Sequence, residues 1–219
     1  MTLARAALFD MDRTLVRRET ASLYVSYMRE RGQASWRDAA RVLWWMTQYT
    51  LGVVDAPVVA RRAMESFVGM SETVLAARCE DLFLRRIEAH VCDRGRAAVE
   101  EHRARGDVLA IVTGASPYVA RPLARSLGIP HVVSSVLEVD PTGHFTGRVV
   151  DPLCYAEGKV QRALELALQL GFRLEESVFY SDSLTDLPLL ERVRTPIVVN
   201  PDPRLSRVAR KLGWTVERW

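Results

Sequence analysis

Two carboxylates one residue apart, Asp10 and Asp12, stand directly after an apolar run, in the stretch Phe9-Asp10-Met11-Asp12-Arg13-Thr14. Acids at the end of a buried strand either cap a turn or do chemistry, and this pair alone does not decide between the two. Three other segments have a similar setting. Ile111-Val112-Thr113-Gly114-Ala115-Ser116 ends an apolar run in a hydroxyl and small residues that lead into a helix. Such a turn offers backbone N–H groups and a helix N-terminus to an anion, although Ser116 as a plain N-cap with Pro117 at the first helical position would read the same way. Lys159 lies near the start of a long helical stretch, where a lysine is ordinarily a solvated surface residue. Last, Tyr180-Ser181-Asp182-Ser183-Leu184-Thr185-Asp186 sets two acids four residues apart after another apolar run. A helix beginning at Asp182 would put both on one face, and Asp182 could equally be that helix's N-cap.

What could gather these segments is a sheet. A short buried strand over residues 3–9 is followed by helical spacing from 20 to 90, punctuated by Gly32, Gly52, Pro57 and Gly69, with four helices and no convincing strand. After Asp93 strands and helices alternate: helix to 105, strand 108–112, helix 116–127, strand 131–134. A polar hairpin, 137–139 against 145–149, turns at Pro141-Thr142-Gly143. A helix over 155–170 closed by Gly171, a strand 178–180, a short helix after Asp182, a strand 197–199 and a last helix 205–212 complete the chain. This rhythm predicts an α/β fold, a Rossmann-like parallel sheet with helices on both faces, plus an inserted all-helical cap. The expected domains are a core of residues 1–14 and 91–219 and a cap of residues 15–90.

In such a sheet ligands bind at the carboxyl ends of the strands, where all four segments fall. Independent caps have no reason to assemble there. Together they form a site of several carboxylates, a lysine, a threonine and amides, the requirements for hydrolysing a phosphate monoester with a divalent cation. Oxygen donors suit Mg²⁺.

Composition excludes other classes. With 48% hydrophobic and 26% charged residues the chain has neither the charge excess of a disordered segment nor the apolar excess of a membrane protein. The net charge of +3 is spread over pairs such as Arg17-Arg18, Arg61-Arg62 and Arg85-Arg86, so a solvated surface is expected and no nucleic acid partner. Cys79, Cys92 and Cys154 are odd in number and lack metal-ligand spacing, which fits a reducing cytoplasm. The uncharged run 42–54 is too short and too polar to span a bilayer, so no stable membrane insertion is expected. Either a monomer or a homodimer is compatible with this surface.

The four segments resemble the motifs of the haloacid dehalogenase superfamily of phosphatases: DxDxT at Asp10, Asp12 and Thr14, then Thr113, Lys159, and DxxxD at Asp182 and Asp186. The all-helical cap and Glu19 resemble the phosphoserine-phosphatase-like branch. The resemblance implies Asp10 as nucleophile and Asp12 as proton shuttle. It implies Mg²⁺ held by Asp10, the Asp12 carbonyl and Asp182, with Asp186 in the outer shell. Thr113, Gly114 and Lys159 would hold the phosphoryl group, and Glu19 and Arg62 the rest of a small phosphomonoester. Arg13 stands where glycine, asparagine or serine is more familiar, and Thr185 where asparagine is common. A dehalogenase would lack Asp12. A phosphotransferase, a phosphatase for amphiphilic phosphates and a non-catalytic binding module remain alternatives. Trp44, Trp45, Met46 and Tyr49 make one cap helix aromatic, expected to be cap core rather than ligand surface.

Overall fold

The computed structural model describes residues 5–33, 35, 44 and 56–219. Six strands form a parallel sheet: β1 Ala6–Phe9, β2 Val108–Val112, β3 His131–Val133, β6 Val178–Ser181, β7 Thr195–Val199 and β8 Thr215–Glu217. Their order across the sheet is β3-β2-β1-β6-β7-β8. The hairpin β4 Val136–Val139 with β5 Phe145–Val150 stands apart as an antiparallel pair. Strand order reverses between β1 and β6. That is the place where an α/β sheet opens a crevice for a ligand.

The strands are apolar on both faces because helices cover both. Alternate β1 residues point to opposite sides. The described helices between β1 and β2 are α1 Thr20–Glu30, α2 Ala56–Glu65, α3 Glu72–Leu82 and α4 Asp93–Ala104, with a π turn, Phe83–Ile87, and a 3₁₀ turn, Glu88–His90, continuing α3 toward α4. Ala7 and Phe9 pack with α4 and α5 (Pro117–Ser126), while Ala6 and Leu8 pack with α6 (Glu157–Leu170), α7 (Leu187–Leu190) and α8 (Pro203–Leu212). A third cluster joins the helical insert to the hairpin, with Leu75 and Cys79 of α3 against Leu137 and Phe145.

Where the structure departs from the sequence pattern, the causes are local. Strand β8 carries no sequence signal, because its residues, Thr215-Val216-Glu217, lie largely exposed at the sheet edge and form no apolar run. Helix α6 starts at Glu157 rather than 155, since Ala156 adopts φ 47° and ψ −124°, far from helical geometry. No helix starts at Asp182. Ser183 caps a 3₁₀ turn, Leu184–Asp186, by accepting from the Thr185 N–H, and α7 follows. Of the aromatic cap residues only Trp44 is described; it is 61% exposed, so that ring is not core. Trp45, Met46 and Tyr49, with most of residues 34–55, lie outside the described residues.

Behind β1 and β6 runs a buried polar chain. In the tautomer that satisfies all three groups, His102 Nδ1–H donates to Asp107 Oδ2 (2.6 Å) and Nε2 accepts the Tyr180 hydroxyl (2.9 Å). The Tyr180 ring stacks on Phe9 at 4.8 Å. His102→Ala would leave a cavity and two buried polar groups unpaired, a loss of roughly 2–4 kcal/mol. Urea unfolding should report that loss, and a variant as stable as the parent would show the chain to be energetically idle.

Candidate active site

The first strand delivers its acid with little freedom. β1 pairs with β6 in register Phe9↔Tyr180, and the Asp10 N–H extends that pairing by donating to the Tyr180 carbonyl at 2.9 Å. The Asp10 side chain therefore leaves the strand tip beside the residues that follow β6. Lys159, on the first turn of α6, reaches it from the other side: Nζ donates to Asp10 Oδ1 at 2.9 Å and to Asp186 Oδ2 at 2.7 Å. This lysine is buried, not a solvated surface residue. Burial opposes its charge, but Asp10 and Asp186 outweigh that and raise its pKa above the ordinary lysine range. Ser181 Oγ–H donates to the same Asp186 oxygen at 2.6 Å.

Asp12 faces the helical insert. The Thr20 N–H at the start of α1 donates to its Oδ1 at 2.7 Å, placing the carboxylate at the positive end of that helix. Burial, and then the charge of Glu19, still push its pKa up to about 7. Glu19 is the N-cap residue of α1 and is itself raised, by burial first, with Arg13 opposing and Asp10 adding. Asp10 is likewise raised to about 7 by burial, with Lys159 opposing and Asp186 adding. A carboxyl that titrates near neutrality is suited to give and take a proton.

Thr113 ends β2, its N–H donating to the Val133 carbonyl at 2.9 Å and its Oγ1 accepting from the Ala115 N–H at 3.2 Å. Gly114 has to be glycine: a Cβ there would lie 2.3 Å from Cζ of Tyr155, whose ring rests on it. Thr14 is buried, and its Oγ1 has no partner among the described residues. Asp182, at the end of β6, is buried and is met by Arg13 Nε at 3.3 Å. Its pKa rises well above the carboxylate range, through burial and then Asp10, with Arg13 opposing.

The structure thus brings together Asp10, Lys159 and Asp186 by direct bonds, and sets Asp12, Glu19 and Asp182 around them through Thr20 and Arg13. Arg62 is different. It is exposed on α2, and no ion pair or hydrogen bond ties it to the strand tips among the described residues. Its neighbour Arg61 is the one with a partner, Asp151 on the strap between β5 and α6, at 2.5 Å. Ser181 and Tyr155 join the site without belonging to the motifs. A serine closing an otherwise apolar strand is a legible signal for the first; nothing local announces the second.

The donor set can be tested for a cation. Among the described residues no three His, Cys, Asp or Glu side chains form a ready-made cage. Asp10 and Asp182 with the Asp12 carbonyl would instead supply part of an oxygen set, leaving positions for water and substrate oxygens. Mg²⁺ is ordinarily held that way. Buried carboxyls whose pKa values are driven up lack positive charge, and Asp182 has only a half-exposed arginine against it. The residues fit a hard divalent cation.

The fold and this strand-tip cluster define a class, and comparison with known proteins agrees. Residues 7–191 match the haloacid dehalogenase-like hydrolase family, and the chain belongs to that family. It is a phosphatase of the phosphoserine-phosphatase-like kind. It is 33% identical over 220 residues to the phosphoserine phosphatase SerB1 of Mycobacterium tuberculosis, covering 98% of this chain and 70% of that one. It is 27% identical to the histidinol-phosphatase of Neisseria meningitidis serogroup C, covering 96% of each. A solved structure from Bordetella pertussis Tohama I, of a protein of unknown function, superposes with a TM-score of 0.86 at 33% identity over 98% of both chains. No described helix is long and apolar enough to cross a membrane.

Proposed function

We propose that the protein hydrolyses a small phosphomonoester through a phosphoryl group carried on Asp10. The observation that carries the reading is the Lys159 ammonium bridging Asp10 and Asp186 beneath the strand tips, with Asp12 held separately on the Thr20 amide. Asp10 forms a bond to phosphorus as the ester oxygen leaves, and Asp12 gives that oxygen its proton. Asp12, now a carboxylate, takes a proton from water, whose oxygen attacks phosphorus and frees Asp10. Thr113, the Gly114 N–H and Lys159 hold the phosphoryl oxygens as charge shifts onto them. Bound at Asp10, Asp182 and the Asp12 carbonyl, Mg²⁺ would neutralise charge between nucleophile and substrate.

Relatives named for phosphoserine and for histidinol phosphate support a metabolite-sized ester. Turnover of a panel of phosphomonoesters with Mg²⁺, Asp10→Asn as the control, tests the reading; release of no phosphate from any member would end it. Product analysis with competing alcohols separates hydrolysis from transfer.

The cation makes its own prediction. With a folded-state pKa near 7 for Asp10 against an ordinary 3.8, and with that of Asp182 raised too, the metal-free protein keeps protons on these two ligand acids that the unfolded chain has released. Stability from this source is full below the unfolded pKa and is lost as pH rises through the folded one. Mg²⁺ displaces those protons, so the rise in melting temperature on adding Mg²⁺ to EDTA-treated protein is expected to be larger at about pH 7.5 than at about pH 5.5. A melting temperature indifferent to Mg²⁺ at the higher pH would remove the cation from the site.

A further inference from the structure

Arg13 is unusual in three respects. Its backbone is left-handed, with φ 56°, a conformation that penalises a side chain and suits glycine. It directly follows Asp12, whose proton is meant for the departing oxygen. Its guanidinium is held between the strand tips and the helical insert, with Nε 3.3 Å from Asp182 Oδ2 and the charge of Glu19 close enough to be partly offset by it. The side chain nevertheless stays 43% exposed.

The site's other cation cannot serve a leaving group. Lys159 is 3% exposed and is occupied by Asp10 and Asp186. Arg13 meets Asp182 through Nε at 3.3 Å, and its half-exposed guanidinium carries two further nitrogens. Those nitrogens form a planar fork matched to a carboxylate or phosphate. A backbone strained to hold an arginine at the mouth of an acidic site calls for a return, and contact with an anionic substrate supplies one.

We propose that Arg13 sets leaving-group specificity, binding a negative charge on the alcohol so that esters carrying a carboxylate or second phosphate are favoured and cationic alcohols are rejected. This rests on the phosphatase reading above, and it assigns the discrimination to the nucleophile loop rather than to the helical insert.

The test uses esters alike in size and different in charge: phosphoglycolate, ethyl phosphate and phosphoethanolamine, with ethane-1,2-diol bisphosphate to separate carboxylate from phosphate. The full chain with Mg²⁺ should rank them anionic, neutral, cationic in kcat/KM. Arg13→Gly relieves the left-handed strain and so should stay folded, and its phosphoglycolate to ethyl phosphate ratio should fall by about 10- to 100-fold, mainly through KM. Arg13→Lys should recover part of the ratio, and Arg13→Glu should invert the order. An equal loss on all esters in Arg13→Gly, or an unchanged ratio, overturns the proposal. Affinities measured by calorimetry on an Asp10→Asn background report the same ranking without turnover. If the parent cleaves nothing yet the binding order holds, the phosphatase reading fails and the role of Arg13 stands. Turnover with no charge order leaves the phosphatase reading intact and removes that role.

Discussion

An Asp10→Asn protein is expected to fold like its parent and to lose phosphate release by about 10⁴-fold or more in kcat. The amide has the shape of the carboxylate and keeps an oxygen for Lys159 Nζ, now 2.9 Å from Oδ1, but it has no lone pair of carboxylate basicity with which to attack phosphorus. Stability should not suffer. Burial pushes the Asp10 carboxyl up to about 7, which means the fold disfavours its charge, and a neutral side chain removes that penalty. The melting temperature should therefore equal the parent's or exceed it, while Lys159 keeps Asp186 as its ionic partner. The paired outcome makes the experiment informative: activity lost through unfolding would lower both quantities. Steady-state turnover that scales with the concentration of the pure variant would remove Asp10 as the nucleophile.

The strand tips are legible in the sequence because each ends an unbroken apolar run in a polar residue, and a doubly covered sheet makes those runs long enough to see. The apolar runs at residues 6–9, 108–112 and 178–180 fall in β1, β2 and β6, and the adjacent polar residues lie at the strand tips around the switch between β1 and β6. What lies beyond reading is conformation set by tertiary contact. Ala156 gives no hint that it takes a backbone shape normally left to glycine, or that it delays the start of α6. The Tyr155 ring over Gly114 joins residues far apart in the chain. Asp182 could also be read as a helix N-cap, but Ser183 fills that role on a 3₁₀ turn, and the Asp182 carboxylate meets Arg13 instead. Lys159 is the instructive case: by residue type it belongs on the surface, and only the coincidence with the other motifs argues for burial. The assignment of Arg62 to the substrate rests on resemblance alone, and the geometry offers it no support.

Lys159→Met should cost the protein both its activity and much of its stability. Methionine nearly matches the length of the lysine and fits an apolar helix face, so the change removes charge with little change of volume. Asp10 and Asp186 are then left buried beside each other with no cation between them, where Nζ had held them at 2.9 and 2.7 Å. Breaking a buried ion pair by removing one partner typically costs about 3–5 kcal/mol. Loss of a phosphoryl-binding donor should lower kcat by about 10²–10³-fold. The stability loss should also carry a signature in pH. Without the ammonium that opposes it, burial holds the Asp10 proton still more tightly when folded than unfolded, so the variant loses stability as pH rises from the carboxylate range toward neutrality and beyond. Urea unfolding of metal-free parent and variant, run at about pH 5 and about pH 8, should show a wider gap at the higher pH. Mg²⁺ should narrow it by restoring positive charge. A variant as stable as the parent at the higher pH would mean that the acids are held apart by something other than Lys159, and the ion triad would lose its place at the centre of the site.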